Sequence, residues 1–433
     1  MQKLFSLNLV LLLQGQTVSR IGSAIASLAL SLWVLETTGS ATYVGLVMLG
    51  TSLPLLLFTP IGGVLADRLP RRTLLVGADT AAGLALLSLV LPFYVLDSSD
   101  QVALIWLVCA LMVSSTAMAF FMPAIMAAIP DIAPKSRLDD ANSLFGVVNS
   151  VTNVVGSGVA GLLFRVLGGP LLFILNGVTF LVSAFSELFL KLPPPEPRAT
   201  EATGYWADTK EGLSYIAAHK GLRNLLLLFT ASNFMYAPAM VTFPILVTQF
   251  HNQPPDWLGY IFGALGLGSM TGLALFTRVH SDGPGRFRWF TGCMVAQGCT
   301  LATLGTTPNG QMAVVVSFIA GIAMAPVNVM FMSVIQGTVP RAIVGRVSSV
   351  GTLITGASMP LGYAFGGIAL DLMNRNAPLM LYLCGAGAAT VAVWVSLNAD
   401  YRQYMSTLIG NSHEDARPAG ARPGHPSLDD DAA

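Results

Sequence analysis

Stretches of about 20 apolar residues recur along the whole chain. They fall at 5–35, 41–66, 74–96, 102–129, 143–165, 169–190, 222–249, 257–277, 287–306, 311–335, 347–371 and 378–399. Each is about as long as a helix needs to be to cross a bilayer, roughly 20 residues. Lipid offers the backbone no hydrogen-bond partner, so repeated runs of this length favour a helical bundle. Composition agrees: 54% of residues are hydrophobic and 10% charged, against about 25% charged in an ordinary soluble protein. Mean hydropathy is +0.67. A water-soluble globule of 433 residues needs a more polar surface than this. The first run is too long for a cleaved signal peptide, lacks a small-residue cleavage site and is followed by further spans.

Several classes of function drop out. The formal net charge is zero and there is no strongly basic patch, which argues against nucleic acid and leaves membrane lipids as the chain's surroundings. Cys109, Cys293, Cys299 and Cys384 sit in apolar runs without CxxC spacing, and the five His fall in loops or the tail without an HExxH pattern. No metal or other cofactor is predicted. No GxxxxGK[ST] occurs, so ATP is not bound through a P-loop. Gly156-Ser-Gly158-Val-Ala-Gly161 matches GxGxxG, but it lies inside an apolar span with no strand before it. It reads as close helix packing through small residues.

Lys and Arg set the orientation. With a cytoplasmic N-terminus, nineteen of the 22 fall in inside segments, Arg165 and Arg375 alone in outside loops, and Arg20 within a span. The split predicts twelve spans and cytoplasmic N- and C-termini. The chain then divides into a six-span unit over 1–190, a cytoplasmic linker over 191–221, a second six-span unit over 222–400, and a disordered cytoplasmic tail over 401–433. The linker opens with KLPPPEP and continues into a short amphipathic helix. In that helix Trp206, Leu213 and Ile216 are expected on the membrane face, with Lys210 and Glu211 towards water.

The two units show signs of duplication. With Pro134 laid on Pro340, Met126 meets Met332, Ile129 meets Ile335, Gly156 meets Gly362 and Gly161 meets Gly367. Matches at one offset, at equivalent places in two sets of spans, indicate a repeated six-helix unit. Two like halves around a central cavity can rock against each other.

In the otherwise apolar stretch GGVLADRLPRR, Gly62 to Arg72, an Asp and three Arg fall within six positions. Asp67 sits at the C-terminal end of span 2, where the helix dipole disfavours an anion. It therefore calls for a positive neighbour: Arg68, Arg71, Arg72 or the N-terminus of another helix. Asp79, about one turn into span 3, is within reach of Arg71 or Arg72, and Gly63 permits close helix contact. Gly63-Val-Leu-Ala-Asp67-Arg68-Leu-Pro70-Arg71-Arg72 resembles the signature loop between helices 2 and 3 of the major facilitator superfamily, with Pro70 where the family has Gly. The resemblance implies a cytoplasmic latch in which Asp67 meets the start of helix 11, near Arg346. The stretches 19–40, 121–144 and 334–350 resemble the drug- and siderophore-exporting branch, which includes macrolide efflux proteins and the enterobactin exporter. That branch carries an antiporter motif with Gly-Pro at its middle, where this chain has Ser157-Gly158; Pro360 gives the other half a similar weak point.

Polar groups inside the spans mark a pathway. Arg20 lies too deep to snorkel easily, and a central charge costs about 3 kcal/mol or more by insertion scales unless it faces a partner or a wet cavity. It either meets substrate or forms a fixed interhelix pair. No acid lies at an obvious mid-span position to partner it; Glu187 and Asp371 are read as snorkelling from helix ends. Gln16 is one turn before Arg20 on the same face, and Asn149 and Asn153 are similarly spaced. Asn176, Asn233 and Asn328 sit in spans 6, 7 and 10. Each of these amides either lines a cavity or bonds helix to helix. The set suits an amphiphilic organic substrate.

The chain thus reads as an all-α membrane protein of twelve transmembrane helices in two six-helix pseudo-repeats. Its expected role is a secondary active transporter of the inner or plasma membrane, exporting drug-like or siderophore-like molecules by alternating access. A proton gradient is expected to drive it, and it is expected to work as a monomer and not as an enzyme. An importer or lipid flippase of the same fold is the alternative, and an intramembrane enzyme or receptor the remote one.

Overall fold

The computed structural model describes residues 6–96, 98–134, 137–193, 205–276, 284–340, 343–399, 401–402 and 404. The helices follow in the order α1 Leu7–Thr38, α2 Ala41–Arg68, α3 Arg71–Leu87, α4 Asp100–Ile132, α5 Leu138–Glu187, α6 Tyr205–Ala218, α7 Lys220–Ile245, α8 Asp256–Phe276, α9 Pro284–Leu304, α10 Gly310–Thr338, α11 Val344–Leu372 and α12 Ala377–Ser396. Strands are absent among the described residues. Residues 405–433 of the expected disordered tail and 194–204 of the linker lie outside them.

Ten of these helices are long and apolar enough to span a membrane, against twelve runs in the sequence. Both differences have local causes. Two runs merge in α5, whose backbone breaks at Gly168, where φ is 73°. That left-handed conformation costs glycine nothing, and the break divides α5 into limbs 138–167 and 169–187. Gly169 presses on the Trp33 side chain, 2.8 Å from where its Cβ would stand, and so leaves no room for a larger residue. The other case is α9, which is long enough but whose mean hydropathy is lowered by Arg286, Arg288 and Gln297. It nonetheless packs between α10 and α12.

Helix ends follow local chemistry. Ser6 caps α1 by accepting from the Leu9 N–H at 3.2 Å, and Gly39 closes it with φ 63°. Asn309 and Asn376 cap α10 and α12 in the same way, at 3.0 and 3.1 Å. These side chains satisfy donors that the helix leaves open. Pro70 separates α2 from α3.

The first half packs α1 on α5, α2 on α4, and α3 on α4 and α5. The second packs α7 on α11 and α12, α8 on α10, and α9 on α10 and α12. The matched glycines do matching work. A Cβ on Gly156 would lie 2.6 Å from Ala24 Cβ of α1, and one on Gly362 would lie 2.6 Å from Ala237 Cβ of α7. Gly63, expected to permit close contact, faces open space; its neighbour Gly62 meets the Ala119 backbone instead. One residue turns a helix face by about 100°, so the sequence left that choice open.

α6 lies against the start of α11. A Cβ on Gly212 would stand 2.9 Å from the Arg346 carbonyl oxygen, and Ile216 is buried in a cluster with α7 and α11 residues. Leu213 is exposed, and the side chain of Trp206 lies outside the described residues. Lys210 and Glu211 are exposed, and Glu211 also pairs with Arg346.

Candidate functional site: a mid-bundle arginine and its cavity

The halves meet through α2 with α11 and α5 with α8. Among the described residues, the hydrogen bonds and ion pairs joining them all lie at one end of the bundle. There the Asp371 carboxylate accepts from Ser40 Oγ at 2.6 Å, the Thr42 N–H at 2.9 Å and the Ala41 N–H at 3.2 Å. Arg375 donates to the Gly39 carbonyl. Across the other contact, Arg165 of α5 pairs with Asp256 of α8 at 2.8 Å. Gly367 touches the Ala41 backbone and Gly161 the Pro255 backbone, so closely that any Cβ would collide. The Gly158 carbonyl lies equally close to Gly259, and Pro360 is buried within α11. Asp371 therefore does not snorkel: it caps the N-terminus of α2, where the helix dipole favours an anion.

At the opposite end, the charged loop is arranged differently from expectation. Arg71 pairs with Asp131 at the end of α4. Asp79 lies more than two turns into α3 and is buried, away from that pair. Arg68 and Arg72 are exposed. Arg346 is held by Asp208 at 2.8 Å and by Glu211, both on α6. The side chain of Asp67 lies outside the described residues.

Midway between the two ends, Arg20 is tied by neutral groups. Its Nε donates to Gln16 Oε1 at 3.1 Å and its Nη1 to Asn149 Oδ1 at 2.7 Å. Nη2 approaches Met122 Sδ at 3.8 Å, and the guanidinium lies 5.6 Å from the centre of the Phe145 ring. Beside it is a cavity of ≈ 230 Å³ lined by Gln16, Arg20, Asp79, Asn149 and Asn153 among others. A larger, mainly apolar groove of ≈ 450 Å³ between α2, α3 and α4 contains no charged side chain.

The other amides serve elsewhere. Asn176 is buried between α5 and α1, accepting from Thr179 at 3.2 Å. Asn233 donates to the Thr355 carbonyl at 3.1 Å and ties α7 to α11. Asn328 is exposed and bonds Met324 O of its own helix.

Sequence reasoning passed over three serines and misplaced an acid. Ser19, Ser23 and Ser27 join Gln16 and Arg20 along the cavity, and their spacing of three and four residues was the available signal. Glu187 is not a snorkelling group: it is fully buried beside Ser183 and Asp79.

Known proteins share this plan. Macrolide efflux protein A of Streptococcus pyogenes is 26% identical over 371 residues, covering 84% of this chain and 89% of that protein. Multidrug efflux pump Tap of Mycolicibacterium fortuitum is 28% identical over 388 residues, covering 86% and 91%. Among solved structures, a bacterial homologue of the iron transporter ferroportin in an inward-facing state superposes with a TM-score of 0.71 at 16% identity, covering 92% of this chain and 100% of that one. The nucleoside transporter NupG gives 0.70 at 14%, covering 89% and 98%. These likenesses show the fold of a membrane transporter. The family model for the Major Facilitator Superfamily matches residues 12–363, and the chain, with its paired bundles and apolar helices, belongs to that superfamily.

Proposed function

We propose that this transporter exports amphiphilic, drug-like or siderophore-like molecules across the inner or plasma membrane, as a monomer, by alternating access driven by the proton gradient. The observation that carries the reading is Arg20: a charge at mid-bundle, facing a cavity that Asp79 also lines, and hydrogen-bonded among the described residues to amides and a thioether. Such a group is costly unless water or a solute completes its surroundings. The names of the efflux-pump relatives support the outward direction. The Lys/Arg-rich segments support cytoplasmic termini. On that orientation the fastened end, with Asp371 and Arg165, is external, and the cavity is offered to the cytoplasm. The Gly63–Arg72 loop, with Asp67, is then the cytoplasmic gate, and Arg346 leaves Asp208 and Glu211 when that gate closes.

The test is accumulation of a panel of dyes and macrolide antibiotics in cells with and without the protein, and in inverted vesicles under a pH gradient. Lower cellular accumulation and gradient-driven uptake into inverted vesicles are expected. Arg20→Ala is expected to lower export at least tenfold, on the order of the several kcal/mol at stake in a mid-membrane charge. Raised accumulation in whole cells would assign import instead.

A further inference from the structure

At the wall of the cavity and behind it lie two acids to which the proposed pathway gives no role. Asp79 on α3 is 2% exposed and Glu187 at the end of α5 is 0% exposed. Ser183, also fully buried, stands between them: its hydroxyl donates to Glu187 Oε1 at 3.5 Å, and the packing of α3 on α5 that sets Gly83 against Leu181 brings it opposite Asp79. Asp79 Oδ2 and Glu187 Oε2 have no hydrogen-bond partner among the described residues. Asp79 also lines the Arg20 cavity.

The charges around this pair can be counted. From α1 comes Arg20, and from α5 comes Glu187. The acid at the end of α4, Asp131, is taken up by Arg71. Among the described residues, the neighbourhood therefore holds one cation and two acids. Two adjacent carboxylates in a medium of low dielectric cannot both stay ionised, and an uncompensated buried charge is strongly disfavoured. One arginine balances one carboxylate, so neutrality requires a proton on the other.

We infer that Asp79 and Glu187 share a single proton and form the proton-exchange site of this transporter. Asp79 is the member in contact with the cavity, and Glu187 is the reservoir behind it. The proton enters from water in the cavity onto Asp79, and leaves to water when the cavity turns to the other side. Arg20 links the site to the cargo: a solute that displaces its guanidinium changes the charge that the pair faces. This rests on the transport reading above, and its test includes a readout that does not need transport.

Infrared difference spectroscopy of the full-length protein in lipid nanodiscs at neutral pH reports the carbonyl band of protonated carboxylic acids. The charge count predicts one protonated group from this site in the wild type, none in Asp79→Asn or Glu187→Gln, and two in Arg20→Gln. In vesicles, Asp79→Asn and Glu187→Gln are expected to lose gradient-driven accumulation, and Glu187→Gln, which lies behind the cavity, to keep downhill exchange of the same dye. A band unchanged in both single-acid variants overturns the shared proton, whatever the transport result. If the band follows the count, but the wild type moves no dye, the site stands and the export reading falls. If both acid variants keep full gradient-driven accumulation, the pair is not the exchange site.

Discussion

The two contacts that fasten the closed end can be compared directly, because the repeat places them at equivalent positions. Arg165 in α5 and Asp371 in α11 are separated by the same offset that relates Gly161 to Gly367. Each faces the N-terminus of a helix in the other half. Asp371 faces α2, and its carboxylate caps Ser40, Ala41 and Thr42 directly. Arg165 faces α8 with the opposite charge, and a cation is unfavourable at a helix N-terminus. The first residue of α8, Asp256, resolves the conflict by standing between them. The halves share one backbone contact, and the side chains reach a favourable charge order by different routes. The glycine approach is therefore the common element, and the charges are the part free to diverge.

Substitutions at these positions probe this comparison. The largest effect is expected from Gly367→Leu or Gly161→Leu, since either side chain would collide with the backbone of Ala41 or Pro255. Both variants are expected to lose transport of the dye panel. A variant that keeps wild-type export would show that the close approach is dispensable.

An intermediate effect is expected from Asp371→Asn. It replaces a charged cap making three hydrogen bonds with a neutral one. The expected cost to the closed end is about 1–2 kcal/mol, or roughly tenfold in the conformational equilibrium. Distances between spin labels on α2 and α11 measure it directly. An unchanged distance distribution would remove the capping argument.

The smallest effect belongs to Arg165→Gln. Its side chain is 53% exposed, and Asp256 keeps its place as the first residue of α8 without it. A shift below about 0.5 kcal/mol is expected. The pair Arg165→Asp with Asp256→Ser would give α8 the arrangement found at α2, and is expected to match the wild type. If the double variant opens the end instead, the two contacts are not equivalent.

Parts of this arrangement were legible in the residues. The spans were, because hydrocarbon thickness fixes their length wherever they occur. Arg20 was, because a charge among apolar residues stands out in one dimension, and so was the Gly156–Gly362 and Gly161–Gly367 correspondence. The partners of charged groups were not. Asp79 was placed within reach of Arg71 or Arg72, and Glu187 and Asp371 at the membrane surface. A residue's surroundings depend on which helix stands opposite, and helical periodicity restricts a face without naming the neighbour. Gly62 in place of Gly63 is the same difficulty on a smaller scale.

The sequence by itself determined that the chain is a bundle of membrane-crossing helices in two related sets, with one arginine too deep to ignore. Those properties follow from local quantities: hydropathy, length and spacing. Only the tertiary structure decided that Asp371 caps a helix of the other half, that Arg346 is engaged by α6, and that Asp79 and Glu187 face each other behind Arg20. The energy of a charge in a low-dielectric interior is set by the few ångströms around it, and those are occupied by residues distant in the chain.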